Sequence, residues 1–169
     1  MKITAVEEYG LRCVLRLARE PAGHALTVAQ IAGREGLTVP HVGKLMAILR
    51  QAGLVDSVRG RGGGYVLPRH PSLISVEQVL NALGEPLFDA SYCQSHPGTQ
   101  SVCNHQVDCS IRSVWEMLGE MIQRVLRQTS LADLCHQEND VSSHLSLCST
   151  TGPNDLIHTI SSAPRTGEA

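Results

Sequence analysis

The sequence predicts a mainly α-helical protein, built as a winged helix-turn-helix with a small β-hairpin wing and a long dimerisation helix. Helical stripes of apolar residues follow one another over residues 5–52, a glycine-rich segment then separates two short apolar runs, and a long stripe spans residues 110–128. Only 3% of the residues are aromatic while 42% are hydrophobic. The core is therefore aliphatic, which favours helices.

Capping boxes predict where the first two helices begin. Thr4 and Glu7 can accept hydrogen bonds from each other's backbone N–H groups, which starts a helix that runs to about Arg19. Its apolar stripe is predicted at Leu11, Val14, Leu15 and Ala18. The segment 27–30, Thr-Val-Ala-Gln, repeats the box and opens a short second helix, which Gly36 can end in the left-handed conformation.

The third helix is the candidate DNA-recognition helix. Thr38 can cap it, Pro40 is tolerated in its first turn, and Gly53 ends it. A buried stripe is predicted at Val42, Leu45, Met46 and Leu49. The remaining positions would point outward and could contact phosphates or base edges: Thr38, Pro40, His41 and Lys44, with Arg50 further along.

The wing is predicted as a hairpin of two apolar runs, Leu54–Val58 and Tyr65–Leu67, around a glycine-rich tip. Arg59 and Arg61 flank glycines that allow the backbone to approach a duplex, and an arginine there could enter a narrow minor groove. Glycine-rich hairpins and basic helix faces are also common as plain solvated surface. Local chemistry alone therefore leaves both interpretations open.

The second half of the chain combines a cysteine loop with a long helix. A fourth helix is expected from Ser75, and the aperiodic segment 89–108 is a loop. The helix over 110–128 carries the stripe Ile111, Val114, Leu118, Met121 and Val125, widened by Trp115 and Ile122. This spacing suits packing against another long helix, which we expect to be that of a second copy. We expect residues 1–70 to form the winged helix-turn-helix, 71–134 the loop and dimerisation helix, and 135–169 a disordered tail.

The charge is divided unequally between the two halves. Residues 1–70 hold ten basic and five acidic residues, a net charge of +5, and residues 71–169 hold four basic and eleven acidic, a net charge of −7; together they give the overall −2. A basic half is typical of a polyanion-binding face. Neither a secretory signal nor a membrane span is recognisable in the sequence, so we expect a cytoplasmic protein.

Three of the six cysteines share the loop, at Cys93, Cys103 and Cys109. Thiolates are soft ligands for iron–sulfur clusters or zinc, and the wide Cys-x9-Cys-x5-Cys spacing lacks the tight knuckle of structural zinc sites. Cys13 is expected to be a buried small hydrophobe. Cys135 and Cys148, at the edge of the tail and inside it, are expected to be incidental thiols.

Several parts of the sequence resemble the Rrf2 (BadM-type) family of bacterial regulators. They are the segment Val55–Leu67, the preceding Lys44-Leu45 and Gly53-Leu54, and the opening Glu8-Tyr9-Gly10-Leu11-Arg12. The resemblance covers about residues 1–134. It implies a dimeric winged-helix regulator that binds a pseudo-palindromic, double-stranded DNA operator. The family includes iron–sulfur cluster regulators and repressors that sense nitric oxide.

The resemblance also implies a ligand set. Cluster-binding members carry three loop cysteines with the same x5 interval between the last two, whereas the first interval is longer in this chain. One branch places a histidine three residues after the last cysteine, where this chain has Arg112. In another branch an N-terminal acid completes the set, and Glu8 stands at that position. Alternatives are His96 or His105 as the ligand, with Glu8 instead pairing with Arg12 at i+4.

The predicted function is DNA-binding transcription regulation controlled by an iron–sulfur cluster, with [4Fe–4S] favoured over [2Fe–2S]. One alternative keeps the fold but uses the cysteines as a thiol switch or zinc site, and another is an iron–sulfur assembly accessory protein. An enzyme is not expected. The sequence has no nucleophile–base arrangement, and the glycine run lacks the Lys-Ser/Thr of a P-loop.

Overall fold

The computed structural model describes residues 3–60, 62–84, 97, 99, 103, 105 and 107–150. The helices are α1 (Ala5–Ala18), α2 (Val28–Glu35), α3 (Val39–Gln51), α4 (Val76–Leu83), α5 (Ser110–Gln128) and α6 (Glu138–Thr150). Strands β1 (Asp56–Val58) and β2 (Gly64–Val66) pair antiparallel. Short 3-10 turns cover Pro71–Leu73 and Asp133–Cys135. This order confirms the predicted mainly helical winged fold.

The predicted capping signals are present at the helix starts. Thr4 with Glu7, Thr27 with Gln30, and Ser75 with Gln78 form complete capping boxes. Thr38 is the N-cap of α3, although its side chain makes no capping hydrogen bond. Gly36 ends α2 in the left-handed conformation, as predicted.

The core lies between α1, α2, α3 and α4. The predicted stripe of α3 is fully buried. The stripe of α1 differs from the prediction, because its buried face is centred on Gly10, Cys13, Val14 and Leu17, while Leu11 and Leu15 are half-buried. The reason is the close approach of α4: a Cβ on Gly10 would lie 2.4 Å from the Leu83 side chain. Gly10 thus lets the two helices pack closely, which turns this face of α1 inward.

A segment outside the predicted hairpin completes the wing. Leu26, just before α2, pairs with Tyr65 through two backbone hydrogen bonds of 3.0 and 2.8 Å. A Cβ on Gly64 would lie 2.4 Å from the Leu26 carbonyl oxygen, so only glycine allows this approach. The base of the wing is thereby fixed to the body of the domain.

The region after α4 differs from the prediction at its end. Helix α5 spans the predicted residues, and the chain beyond it returns to the core, where the Leu131 N–H donates to the Ile74 carbonyl at 2.9 Å and Leu131 is fully buried. The expected tail from 135 is in part a helix, since α6 covers Glu138–Thr150. Residues 151–169 lie outside the described residues. No helix in the described part of the chain has the length and apolar character needed to cross a membrane.

Candidate DNA interface and cysteine-loop site

The N-terminal end of α3 presents most of the predicted recognition residues to solvent. Thr38, Pro40 and Lys44 are exposed, and so is Arg50 at the far end of the helix. The Thr38 hydroxyl is not used for capping, so it remains available to a ligand. The exposed surface of α3 therefore combines hydrogen-bonding groups with positive charge, the combination that binds DNA phosphates and base edges.

His41 differs from the prediction that it points outward. Its side chain is half-buried and packs edge-on against Tyr9 of α1, with the ring centroids 5.7 Å apart and the planes at 85°. Its Nε2 atom is buried and has no hydrogen-bond partner among the described residues. The His41 imidazole is therefore not one of the outward-facing side chains of α3.

The wing tip is formed by a tight turn between the strands. Arg59 is exposed, Gly60 adopts a positive φ of 112°, and the Gly63 N–H donates to the Gly60 carbonyl at 2.9 Å. A Cβ on Gly63 would lie 2.4 Å from the Val58 carbonyl oxygen, so the backbone is tightly folded here. Arg61, the second predicted wing arginine, lies outside the described residues.

An ion-pair clamp, formed by Arg12, Arg16 and Glu35, joins α1 to the end of α2. The Glu35 carboxylate accepts from Arg12 Nε at 3.0 Å and from Arg16 Nε at 2.7 Å. A second Arg12 nitrogen donates to the Glu35 carbonyl at 2.8 Å. The alternative in which Glu8 pairs with Arg12 is therefore wrong, since this guanidinium turns to α2.

The described part of the cysteine loop ends at the start of α5. Cys109 is the N-cap of this 19-residue helix, and both Cys103 and Cys109 are half-buried free thiols. Cys93 and His96 lie outside the described residues. A small cavity of about 190 Å³ is lined by His105, Asp108, Cys109, Ser110 and Ile111. Among the described residues no three His, Cys, Asp or Glu side chains form a group that could hold a metal ion.

Arg112 stabilises the loop backbone at this end. Its guanidinium donates to the His105 carbonyl at 3.0 Å. Arg112 stands where one branch of the family that the sequence resembles has a histidine ligand. In this chain it instead contacts the loop through a hydrogen bond.

Glu8 is exposed on α1 and directly follows a residue that contacts the end of α4. The preceding Glu7 is 4% exposed, and its carboxylate accepts from the N–H and hydroxyl of Thr4, both at 2.7 Å. A Cβ on Gly84, directly after α4, would lie 2.5 Å from Glu7 Oε1. The loop therefore leaves the folded domain in contact with the residue next to Glu8.

Of the cysteines outside the loop, Cys13 is buried as predicted. Cys13 is fully buried, and burial raises the pKa of its thiol to about 11, so it acts as a small apolar side chain. Burial also raises the pKa of the half-buried Cys135 thiol, which donates to the Leu131 carbonyl at 3.3 Å. The side chain of Cys148 lies outside the described residues.

Helix α5 exposes a row of large apolar side chains, called here the α5 face: Ile111, Val114, Leu118 and Met121, at 61, 54, 38 and 43% exposure. These are the stripe positions that the sequence assigned to helix–helix packing. Sequence reasoning did not select Tyr9 or Glu35 as site residues. Their contacts reach helices distant in sequence, and no local spacing signals them.

Comparison with known proteins agrees with this geometry. The Rrf2 family profile, described as iron-dependent transcriptional regulator, matches residues 3–137. The chain is 32% identical to the HTH-type transcriptional regulator IscR of Yersinia pestis over 139 residues, which cover 82% of each chain. Among solved structures it is similar to CymR, the global cysteine regulator of B. subtilis (TM-score 0.67, 27% identity, 80% of this chain and 96% of that chain). It is also similar to T. potens IscR (TM-score 0.63, 33% identity, 79% and 85%). The chain therefore belongs to the Rrf2 family of winged-helix, DNA-binding transcription regulators and is not an enzyme.

Proposed function

We propose that this regulator binds a pseudo-palindromic operator as a homodimer, and that an iron–sulfur cluster held by the cysteine loop sets its affinity. The observation that carries the proposal is the position of the loop. It leaves α4 at Gly84, against Glu7 of α1, and it returns at Cys109, the N-cap of α5. The DNA-binding elements α2, α3 and the wing are called here the reading head. The loop thus connects α4, which packs against α3 of this region, to α5, which presents the α5 face.

The proposed DNA contacts come from two exposed elements. Thr38, Pro40 and Lys44 enter the major groove with the start of α3, while Arg50 contacts the backbone from its far end. Arg59 and Arg61 contact the minor groove from the wing. The +5 charge of residues 1–70 supplies the attraction to phosphates.

The α5 face is the proposed dimer interface. A 19-residue helix is about 28 Å long, and its apolar residues recur at alternating intervals of three and four, the spacing of paired helices. An exposed apolar row of this length is costly in water, and a second copy offers the same row for mutual burial. Dimerisation would also place two reading heads on the two half-sites of the operator.

The proposed ligands are Cys93, Cys103 and Cys109, with Glu8 as the fourth. Their chemistry fits an iron–sulfur cluster, because thiolates are its usual ligands and a carboxylate can complete the set. Cys103 and Cys109 are free and half-exposed, and Cys109 lies at the N-terminus of α5. The carboxylate ligand favours [4Fe–4S] over [2Fe–2S]. Such a cluster reacts with nitric oxide or oxygen and depends on iron supply.

Regulation follows from what α1 contacts. Arg12 and Arg16 hold the end of α2 through Glu35, and α1 also packs against α3. A ligand at Glu8 would connect this unit to the cysteine loop, and loss of that connection would free the loop from the reading head. The cofactor must bind one arrangement better than the other for operator affinity to change.

The test is to purify the protein without oxygen and record native mass spectra together with operator binding. We expect a dimer with iron and sulfide in cluster ratio, and a change in operator affinity when the cluster is removed. Cys103→Ala should abolish both the cluster and its effect, whereas Cys135→Ala, outside the loop, should retain them. Cofactor-dependent binding that persists in Cys103→Ala would disprove the proposal. Glu8→Gln, measured in the same assays, tests whether Glu8 is the fourth ligand.

A second candidate is a thiol switch in the same fold. It is favoured by the likeness to CymR, the global cysteine regulator of B. subtilis, and by the free thiols of Cys103 and Cys109, which lie six residues apart. A metal-free dimer whose operator affinity changes on mild oxidation, with these two thiols losing reactivity to alkylation, would favour the switch. Zinc in the purified protein would instead indicate a structural site.

A further inference from the structure

We infer that His41 is a positioning residue for the recognition helix rather than a reader of DNA bases. Its imidazole and the Arg12 guanidinium both contact one aromatic ring, that of Tyr9. This inference concerns the DNA-binding activity and holds with or without a cofactor in the cysteine loop.

The buried nitrogen argues against base reading. His41 lies among the exposed residues Thr38, Pro40 and Lys44, yet its Nε2 is enclosed and has no partner among the described residues. A side chain that reads a base presents its nitrogen to the groove. The buried Nε2 of His41 faces the protein instead. The His41 ring therefore contributes by packing and not by hydrogen bonding to a base.

Tyr9 of α1 contacts α3 directly through His41, and it contacts Arg12, which in turn holds α2. The His41 ring meets Tyr9 edge-on at 5.7 Å between centroids, a favourable arrangement for aromatic pairs. The Arg12 guanidinium carbon lies 5.7 Å from the centre of the same ring, and Arg12 also holds Glu35 at the end of α2. Removing either the His41 or the Tyr9 ring should therefore change the angle of α3 on α1.

A ring contact and a base contact predict different responses to substitution. His41→Phe keeps a planar ring against Tyr9 but removes both nitrogens, including the buried one without a partner. A buried polar atom without a partner is destabilising, so an apolar replacement of similar shape should raise the melting temperature. His41→Ala and Tyr9→Leu each remove the contact while leaving the exposed residues of α3 unchanged.

The experiment measures binding of the full-length protein to a duplex enriched from a randomised pool by the wild type, and to its single-base variants. We expect His41→Phe to bind within about threefold of wild type with the same base preferences. His41→Ala and Tyr9→Leu should each weaken binding to all duplexes alike by about tenfold, and the double variant should be no weaker than the poorer single one. Lys44→Gln is the control, because it changes an exposed residue of α3 and leaves the His41 and Tyr9 rings in place.

Two results would overturn the inference. In one, His41→Phe loses discrimination at a single base pair while Tyr9→Leu binds normally, which would make His41 a base reader. In the other, His41→Ala and Tyr9→Leu both bind as wild type, which would leave the ring contact without a role. Should Tyr9→Leu fail to fold, His41→Ala compared with His41→Phe decides between the same alternatives.

Discussion

At the scale of single residues, the wing depends on a glycine that its own strand does not require. Gly64 lies in β2, where a side chain is normally accommodated, but the Leu26 backbone passes directly over it. A Cβ there would meet the Leu26 carbonyl oxygen at 2.4 Å and the Thr27 nitrogen at 2.8 Å. Because these are backbone atoms, they can move away only if the pairing of Leu26 with Tyr65 breaks.

We therefore predict that Gly64→Ala lowers the free energy of unfolding by about 1–3 kcal/mol, as overpacking of a rigid site does. Chemical denaturation monitored by circular dichroism measures the change. Gly62→Ala, at the open tip with nothing near its Cβ position, should change stability by under about 0.5 kcal/mol. Equal effects at the two glycines would contradict this account of the wing base.

At the scale of secondary-structure elements, the clamp between α1 and α2 is more enclosed than an ordinary surface ion pair. The Glu35 side chain is 8% exposed, whereas those of Arg12 and Arg16 are 41 and 27% exposed. A carboxylate enclosed by two guanidinium groups contributes more than a surface pair, because its removal leaves both cations without compensation.

For Glu35→Gln we predict a loss of about 2 kcal/mol in the free energy of unfolding, between the values for surface and buried pairs. The comparison is Glu77→Gln, which breaks the exposed pair of Glu77 with Arg127, with Arg127 65% exposed. That substitution should cost under about 1 kcal/mol. If both cost the same in thermal and urea unfolding, the clamp is no stronger than a surface pair.

The α5 face is the second feature at this scale. A charge in the middle of an apolar interface must be buried without a partner, which strongly opposes association. Leu118→Glu should therefore convert the proposed dimer to a monomer, with dimer affinity reduced about 100-fold or more, equivalent to about 3 kcal/mol. Sedimentation velocity over a range of concentrations gives the affinity. Ser113→Glu adds the same charge at an exposed position outside the stripe, and a dimer unaffected by Leu118→Glu would refute the interface.

At the scale of the whole molecule, we expect the opposite charges of the two halves to orient the protein on DNA. The basic half attracts phosphates, whereas the acidic half carries the cysteine loop and α5. The overall charge of −2 hides this division. Binding should thus depend on salt in proportion to the number of cations that contact phosphates.

Lys44→Gln should reduce the slope of log affinity against log salt by about one for each protomer, while base preferences stay the same. Fluorescence anisotropy at several salt concentrations provides the slope. Arg127→Gln, which changes a cation in the acidic half, should leave it unchanged. A slope that responds equally to both substitutions would mean that overall charge, rather than the α3 surface, determines binding.

What could be predicted from the sequence is what depends on near neighbours along the chain. Capping boxes, the buried stripe of α3, the hairpin and the bounds of α5 all involve contacts within a turn or two, so residue order is sufficient to predict them. The predicted cluster ligands rest on spacing and resemblance, and they stay predictions. The helix at 138–150 was not predicted because its composition is polar and its apolar residues lack a helical period.

Tertiary structure decided which of several locally equivalent arrangements the chain adopts. Leu11 and Leu15 suit an inward face of α1 as well as Cys13 and Leu17 do, and α4 packing on Gly10 decided between them. Arg12 could pair with Glu8 within its own helix, but its guanidinium binds Glu35 at the end of α2 instead. His41 has the spacing of an outward residue, yet Tyr9 draws it inward. In each case the deciding partner is distant in the sequence, and a local pattern carries no information about which distant element will pack there.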